Sequence, residues 1–344
     1  MRRPLFAVLV LATAVLPARA VERPPQFVTM AFDNCTELER WQDLTDFSAE
    51  MNRNAARLHF TFFVSGINFI EDANRAVYEG PGQRRGYSRI NFGGSADEVR
   101  RRVDYVNTLA RDGHEIASHA VGHFDGAGWS AGEWDKEFRA FADILRNAGP
   151  VRADSARLDA GKVVGFRAPY LATGSGLYVT LKTNGFRYDA SRDGAIDEWP
   201  EQIDGLWRFN LARLKLAGTG RSTLSMDYNF FVAQSRAVDD PGRQKIFREQ
   251  MLATYLDYFR ANYRGNRAPL HLGHHFFPYQ GGVYNEALKD FARQVCGLPE
   301  VKCASYAELA DFLDRQSAET LDAYRKGEFP HAGEAALSST TLAR

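Results

Sequence analysis

The sequence has no excess of charge of either sign. Its 43 Lys and Arg side chains are balanced by 43 Asp and Glu side chains. Nucleic acids and anionic membranes are bound by basic faces, so neither is indicated as a partner. The chain also lacks internal repeats, low-complexity tracts and long runs of like charge. With 344 residues, 44% of them hydrophobic, we expect one large α/β domain.

The apolar run at the N-terminus, residues 5–16, is too short to span a bilayer as a helix. It follows two arginines and precedes Pro-Ala-Arg-Ala at residues 17–20, the form of a signal-peptidase site. No cysteine follows closely, so no lipid anchor is expected after cleavage. We predict that residues 1–20 are a signal peptide. The mature protein, secreted or periplasmic, then begins at Val21 with a net charge of about −3.

Cysteine is scarce, with three in the whole chain. Cys296 and Cys303 are separated by a Gly-Leu-Pro stretch that favours a turn, and in an oxidising compartment they are a plausible disulfide pair. Cys35 would then be a lone thiol beside Asp33. Because no base is near it in the sequence, we expect a small buried side chain rather than a nucleophile.

Strand-like stretches alternate with amphipathic helices, which predicts a parallel sheet wrapped by helices. The predicted strands are residues 27–32, 57–64, 115–118, 163–167, 186–189, 206–209 and 270–274. Two helices begin at capping boxes, one from Ser95 to Glu98 and one from Ser130 to Glu133. Between the second predicted strand and the first of these helices, the chain makes a long Gly- and Arg-rich excursion at residues 71–94. A second apparent insertion lies at residues 216–243. Residues 71–94 have the length of a functional lid or binding loop.

We expect the domain to span residues 21–315. Residues 316–344 are polar and rich in Ala and Ser, and we expect one loose helix and a disordered tail there.

Polar side chains cluster at the carboxyl ends of the predicted strands, where barrel enzymes and open α/β sheets place their sites. They are Asp33, Asn34, His119, His123, Arg167, Asp189, His271, His274 and His275. His119 and His123 stand four residues apart, so both imidazoles can reach one metal ion from one helical turn. Together with an acid at a neighbouring strand end, they predict a site for metal-assisted hydrolysis.

The order of these motifs, FDN, HxxxH, RAPY, YDAS and then GHH, resembles that of the NodB-homology polysaccharide deacetylases, carbohydrate esterase family 4. The resemblance covers about residues 27–313 and looks closest to the exported chitin deacetylases. It implies a single-domain distorted (β/α) barrel. It also implies a divalent metal ion, zinc first and cobalt or nickel as alternatives, and a chitin-like or peptidoglycan-like carbohydrate polymer as the substrate of N-deacetylation.

The resemblance also assigns roles to individual residues. Asp33 matches the general base, and Arg167 matches the arginine that orients it. The metal ligands match His119, His123 and Asn34, the last standing where the family has an aspartate. The backbone N–H of Tyr170 would hold the oxyanion. The catalytic acid matches His274 or His275, and the acid that tunes it matches Asp189, with Asp193 second.

Asn34 leaves three functional hypotheses open. An amide oxygen is a neutral and weaker ligand than a carboxylate, so metal affinity should fall, although hydrolysis need not be abolished. Beside the polysaccharide N-deacetylase stand a small-amide hydrolase with little metal dependence and a catalytically weak carbohydrate-binding homologue. Exposed aromatic side chains in the excursion, namely Tyr78, Tyr87 and Phe92, would favour a polysaccharide groove; otherwise they pack the excursion onto the domain.

Overall fold

A computed structural model describes residues 21–54, 56–147 and 159–331. The predicted signal peptide, residues 1–20, and residues 332–344 of the predicted tail lie outside these residues. The strands are β1 Gln26–Asp33, β2 Thr61–Val64, β3 Glu115–Ser118, β4 Gly165–Phe166, β5 Tyr188–Gly194, β6 Glu201–Ile203, β7 Leu206–Lys215, β8 Ser222–Leu224, β9 Leu270–His275 and β10 Val301–Cys303. The α-helices are α1 Leu38–Arg53, α2 Ala96–Arg111, α3 Ala131–Asn147, α4 Ser175–Thr183, α5 Asp227–Ser235, α6 Gln244–Arg264, α7 Val283–Val295, α8 Tyr306–Asp314 and α9 Ala318–Lys326.

Strand β1 pairs with three other strands. All eight of its residues are buried, as expected for a parallel strand covered on both faces. It pairs in parallel with β9 along residues 28–33, with β2 near its carboxyl end and with β10 near its amino end. The sheet continues in parallel through β3, β4, β5 and β7, and β6 joins β7 in the antiparallel direction.

Ser225 closes the sheet between β7 and β9. Its backbone N–H donates to Ala212 at 2.9 Å, and its carbonyl accepts from the Gly273 N–H at 2.8 Å. Its hydroxyl donates to the His271 carbonyl at 2.6 Å and accepts from the Ala212 N–H at 2.9 Å. The backbone and the side chain of Ser225 thus join the two strands, and the result is the distorted barrel that was predicted.

The strands divide the apolar side chains between two layers. Phe32 and Phe62 face outward and pack with Trp41 of α1. Ala31 and Phe63 face the barrel interior, where they join a separate buried cluster. Because side chains alternate along a strand, Asp33 lies on the interior face with Ala31, two residues before it. The Asp33 side chain therefore lies at the carboxyl end of the barrel interior.

Both predicted capping boxes are confirmed. The Ser95 hydroxyl accepts from the Glu98 N–H, and the Ser130 hydroxyl accepts from the Glu133 N–H, each at 3.3 Å. The predicted disulfide joins Cys296 to Cys303, and Cys35 is a buried free thiol.

Helix α9 occupies the start of the segment expected to be loose, but it packs on the domain. Tyr324 is buried and stacks on Trp199 with ring centroids 5.0 Å apart. Among the described residues, no helix is both long and apolar enough to cross a membrane.

Candidate functional site

The Asp33 carboxylate lies at the end of β1 and pairs with Arg167, which follows β4. The Arg167 Nη1 donates to Asp33 Oδ1 at 2.9 Å, and both side chains are buried. Arg167 is fixed further by the Ala190 carbonyl and by the ring of Phe63, 4.2 Å from the guanidinium. Burial alone would raise the pKa of Asp33, but the charges of Arg167 and the nearby histidines hold it below its ordinary value. The carboxylate is therefore kept ionised.

His119 and His123 follow β3 and lie side by side, with ring centroids 5.1 Å apart. The His119 Nδ1–H donates to the Arg167 carbonyl at 2.7 Å, which leaves Nε2 as the unprotonated nitrogen. The Asn34 Nδ2 donates to His123 Nε2 at 3.3 Å. Burial lowers the pKa of both imidazoles, that of His123 to about 3, so both are neutral. The structure thus brings the three predicted ligands together beside Asp33.

The loop that carries the two histidines is held from both sides. Glu137 of α3, which is 1% exposed, accepts from the Val121 N–H at 2.9 Å and from the Gly122 N–H at 3.2 Å. Its carboxylate also accepts from the Tyr78 hydroxyl at 2.8 Å. On the other side, the Gly122 carbonyl accepts from Ser88 Oγ at 3.1 Å. The excursion therefore braces this loop, and the aromatic Tyr78 is part of the brace.

The excursion supplies no aromatic groove. Tyr78 is 2% exposed and Phe92 is 6% exposed, so both are buried side chains. Tyr87 is partly buried and packs against Phe124, with ring centroids 5.8 Å apart. Of the two readings left open for these rings, packing of the excursion onto the domain is the one that the structure supports.

His275 ends β9 directly beside the end of β1. The register of the two parallel strands pairs Asp33 with His275 and Phe32 with His274. His275 Nδ1–H donates to Asp227 Oδ1 at 2.6 Å, and its backbone N–H donates to Asp227 Oδ2 at 2.8 Å. Burial opposes protonation, but the charge and hydrogen bond of Asp227 raise the pKa of His275 above its ordinary value. The imidazole presents Nε2 as the nitrogen that can carry a transferable proton.

Five residues of the site have left-handed backbone that ordinary side chains rarely adopt. They are Asn34, Ala120, His123, Tyr170 and Leu171, with φ between 52° and 58°. Strained backbone of this kind persists where the surrounding structure holds it, often at functional sites. Tyr170 is also 61% exposed, and its ring lies edge-on to His123 at 4.7 Å between centroids.

Comparison with known proteins agrees with this arrangement. The sequence profile of the polysaccharide deacetylase family matches residues 20–188. This range contains the Asp33, HxxxH and RAPY segments that the structure brings together. The chain belongs to the polysaccharide deacetylase family. The family is hydrolytic and acts on amide bonds of carbohydrate polymers, generally with a metal ion.

Several solved structures align with the structure of this deacetylase. A Mycobacterium smegmatis protein assigned to the polysaccharide deacetylases aligns with a TM-score of 0.55 at 18% identity, over 87% of this chain and 94% of the other. The Xyl-CE4 domain of a xylanase from the hindgut metagenome of Trinervitermes trinervoides aligns with a TM-score of 0.45 at 14% identity, over 85% of this chain and 93% of the other. The chitin deacetylase of Colletotrichum lindemuthianum aligns with a TM-score of 0.43 at 14% identity, over 78% of this chain and 82% of the other. The first of these alignments supports the fold. A search of curated proteins found no match.

The donor set of this deacetylase fits a divalent ion, but weakly. The described residues contain no group of three His, Cys, Asp or Glu side chains placed to hold a metal. The third donor is the Asn34 amide, whose oxygen would face His123 after a half-turn of the amide group. The Arg167 carbonyl accepts a hydrogen bond from the His119 ring and fixes its orientation, whereas the buried His123 Nδ1 has no hydrogen-bond partner among the described residues. Two imidazoles and an amide are neutral ligands, so the ion would be bound less tightly than with a carboxylate.

Two of the predicted catalytic residues of the deacetylase need correction. His274 points away from Asp33 and is fully buried, with its Nε2 3.1 Å from the Tyr255 hydroxyl. Burial also lowers the pKa of His274 to about 4, so this imidazole is neutral. Asp189 does not pair with a catalytic histidine. It accepts from Ser191 Oγ at 2.5 Å and lies 3.6 Å from Arg208.

The structure gives Asp189 a different place in the site. Ser191 Oγ, which donates to Asp189, accepts from the Ala168 N–H at 2.7 Å. Asp189 therefore supports the backbone that leads from Arg167 to Tyr170. The second candidate, Asp193, pairs with Arg213 at 2.5 Å.

Asp227, the partner of His275, was not predicted from the sequence. It begins α5, inside the segment interpreted as an insertion, 48 residues before its histidine partner. The available signal was an acid directly after a strand-like stretch, in the Ser-Met-Asp-Tyr sequence that follows β8. That signal alone does not identify a partner, because the contact depends on how Ser225 docks against β9.

Proposed function

We propose that the protein is an exported, metal-dependent N-deacetylase that hydrolyses acetamide groups of an N-acetylglucosamine-containing polymer to amine and acetate. The observation that carries the proposal is the pairing of Asp33 with His275 at adjacent strand ends. One is held ionised by Arg167 and the other is held protonated by Asp227. A lowered pKa at Asp33 and a raised pKa at His275 suit the first to act as the base and the second as the acid.

The roles of the chain's own residues follow from these positions. Asp33 accepts a proton from the attacking water, and Arg167 keeps the carboxylate oriented. The Tyr170 N–H donates to the oxyanion that develops on the acetamide carbonyl. His275 gives the Nε2 proton to the departing amine, and Asp227 stabilises the imidazolium until then. His119, His123 and Asn34 would hold the metal ion, which when bound acidifies water and polarises the carbonyl.

Among the alternatives, the small-amide hydrolase with little metal dependence is favoured by one observation. The ligand set is neutral and His123 lacks a second hydrogen bond, so low occupancy is physically reasonable. A carbohydrate-binding homologue without catalysis is less favoured. Binding alone gives no reason for a buried acid with its arginine beside a histidine with its own aspartate.

Export is proposed from the N-terminal sequence and from the cysteines. The Cys296–Cys303 disulfide is of the kind that persists in oxidising compartments. N-terminal sequencing of protein recovered from the medium or periplasm should give Val21 as the first residue. An intact Met1 in that fraction would contradict cleavage.

Acetate release from N-acetylglucosamine oligomers tests the proposed activity. We expect the wild-type protein with added zinc to release acetate, and Asp33→Asn and His275→Ala to lose about a hundredfold or more of the rate. Val77→Ala, at an exposed position in the excursion, serves as the matched control. The proposal fails if the metal-supplemented wild-type protein, shown to be folded, releases no acetate from any oligomer.

A further inference from the structure

We propose that three aromatic side chains beside His275 form a binding surface for the pyranose rings of the substrate, on the side of the leaving amine. We call Tyr228, Phe277 and Tyr279 the aromatic shelf. This inference rests on the proposed function, because it uses the direction in which His275 gives its proton.

The aromatic shelf is continuous with the catalytic histidine. The Tyr279 ring lies edge-on to the His275 ring, with centroids 5.8 Å apart. The ring centroid of Tyr279 lies 4.9 Å from that of Phe277 and 5.6 Å from that of Tyr228. Phe277 is 53% exposed and Tyr228 is 44% exposed. Contiguous exposed aromatic rings next to a reactive group mark a place where a ligand binds.

The segment that presents the aromatic shelf is anchored. Gln280 is fully buried, and its side-chain oxygen accepts from the Asp240 N–H at 2.8 Å. Its side-chain nitrogen donates to Ser235 Oγ at 2.9 Å and to the Val238 carbonyl at 2.8 Å. Phe276, next to Phe277, is buried. Phe277 is therefore exposed on a well-anchored segment, which reduces the entropy lost when a ligand binds.

The chemistry of the leaving group decides which part of the substrate faces the aromatic shelf. His275 protonates the amine nitrogen, and that nitrogen is bonded to a ring carbon of the sugar. The pyranose rings therefore lie beyond His275, away from His123 and Tyr170. A pyranose presents an apolar face of C–H groups that packs on an aromatic ring, while its hydroxyls remain in water.

The aromatic shelf also separates the rival substrates. The ring contacts run from His275 to Tyr279 and from Tyr279 to Phe277, so a small amide held at His275 would not cover Phe277. A saccharide chain can contact His275 and Phe277 together. The inferred ligand class is thus an oligomer of N-acetylated amino sugar.

Substitution of Phe277 tests the inference, because this ring does not touch the reacting atoms. For the N-acetylglucosamine tetramer we expect Phe277→Ala to raise KM about three- to tenfold with kcat nearly unchanged. Phe277→Leu, which keeps apolar volume without a flat ring, should behave like Phe277→Ala. Phe277→Trp should restore a KM close to that of the wild type, and Val77→Ala should leave KM unchanged.

A binding measurement separates this inference from the proposed activity. Ligand-observed NMR with the tetramer and the Asp33→Asn protein should show a Kd that weakens about three- to tenfold when Phe277→Leu is added. If the wild-type protein proves inactive but this dependence on Phe277 remains, the deacetylase proposal fails and the aromatic shelf stands. An equal Kd for both proteins, or no tetramer binding at all, would overturn the aromatic shelf.

Discussion

At the scale of single residues, Asn34 is the position where this chain departs from its family's pattern. Its backbone is left-handed, with φ of 52°, a conformation that Asn and Asp tolerate better than other residues with a side chain. Its amide contacts His123 Nε2, so it lies where a metal ligand belongs. An aspartate would fit the same backbone and add a charged oxygen. Asparagine in place of aspartate therefore changes the charge of the metal ligands without requiring a different loop conformation.

Asn34→Asp should tighten metal binding. The added carboxylate restores an anionic ligand, and we expect the zinc Kd to fall by about tenfold or more. The measurement is calorimetric titration of the metal-free wild-type and variant proteins, with Val77→Ala, at an exposed position, as the control. An unchanged Kd would show that residue 34 is no ligand.

Asp227→Asn should weaken the acid. Loss of the negative charge lowers the pKa of His275, so the fraction that is protonated falls at neutral pH. The rate should drop by about a hundredfold. Because a general acid acts while protonated, the alkaline limb of the kcat/KM profile should move to lower pH. A reduced rate with an unmoved alkaline limb would mean that Asp227 serves only to hold the backbone.

The residue roles show where prediction from sequence ends. Asp33, Arg167, His119 and His123 could be predicted because each lies within a short motif at a strand end. The choice between His274 and His275 depends on the register of β9 against β1, which local sequence does not specify. The pairing of His275 with Asp227 depends on a contact between segments 48 residues apart. Sequence spacing carries no information about such a contact.

At the scale of elements, the excursion acts as a support for the loop after β3. Its Tyr78 and Ser88 reach that loop directly or through Glu137 of α3. The loop contains two residues in left-handed backbone, Ala120 and His123, which need such support. A loop of this length was expected to be a lid or binding loop. Its buried aromatic rings instead give it a bracing role.

Glu137→Ala should loosen the metal site as well as the fold. It leaves the Val121 and Gly122 N–H groups without their acceptor, which should lower the free energy of unfolding by about 2–4 kcal/mol. Because the same loop positions His123, we expect zinc affinity to fall about tenfold. Tyr78→Phe, which keeps the acceptor for both N–H groups, should show a smaller loss of both. Urea denaturation and zinc titration measure the two quantities. A destabilised variant with wild-type zinc affinity would contradict the bracing role.

At the scale of the whole molecule, the barrel and its main strands were predictable from buried runs and strand-end polar residues. The short strands β6, β8 and β10 were not, because three residues are too few to show a pattern. The predicted strand at residues 57–64 is shorter in the structure, with Leu58 instead forming a separate bridge to Cys303. The packing of α9 depends on Trp199, which is remote in sequence.

His114 should make the stability of the whole fold depend on pH. Its Nδ1 accepts from the Phe60 N–H at 2.8 Å, and its Nε2–H donates to Ser48 Oγ at 2.7 Å, so the buried ring is neutral. Burial, helped by nearby His59, lowers the pKa of His114 to about 3. Since the unfolded chain takes up the proton first, this stability is present above about pH 6.5 and is lost as the pH falls towards 3.

His114→Asn should reduce that dependence. The Asn oxygen can still accept from Phe60, so the variant should fold, with a free energy of unfolding lower by about 1–3 kcal/mol at pH 8. Between pH 6.5 and 4 its stability should fall less steeply than that of the wild type, as measured by urea denaturation at several pH values. Parallel curves for the two proteins would show that His114 does not titrate in this way.

The proposed mechanism requires Asp33 and a weakly held metal ion to act together in hydrolysis. Acetate release from the N-acetylglucosamine tetramer should therefore be measured against free zinc, starting from chelator-treated protein. We expect the wild-type rate to start near zero and to saturate only at high zinc, and the Asn34→Asp rate to saturate at lower zinc. We expect Asp33→Asn to remain about a hundredfold or more slower than the wild type at saturating zinc. A full wild-type rate after exhaustive chelation, or an Asp33→Asn rate close to that of the wild type at saturating zinc, would contradict this expectation.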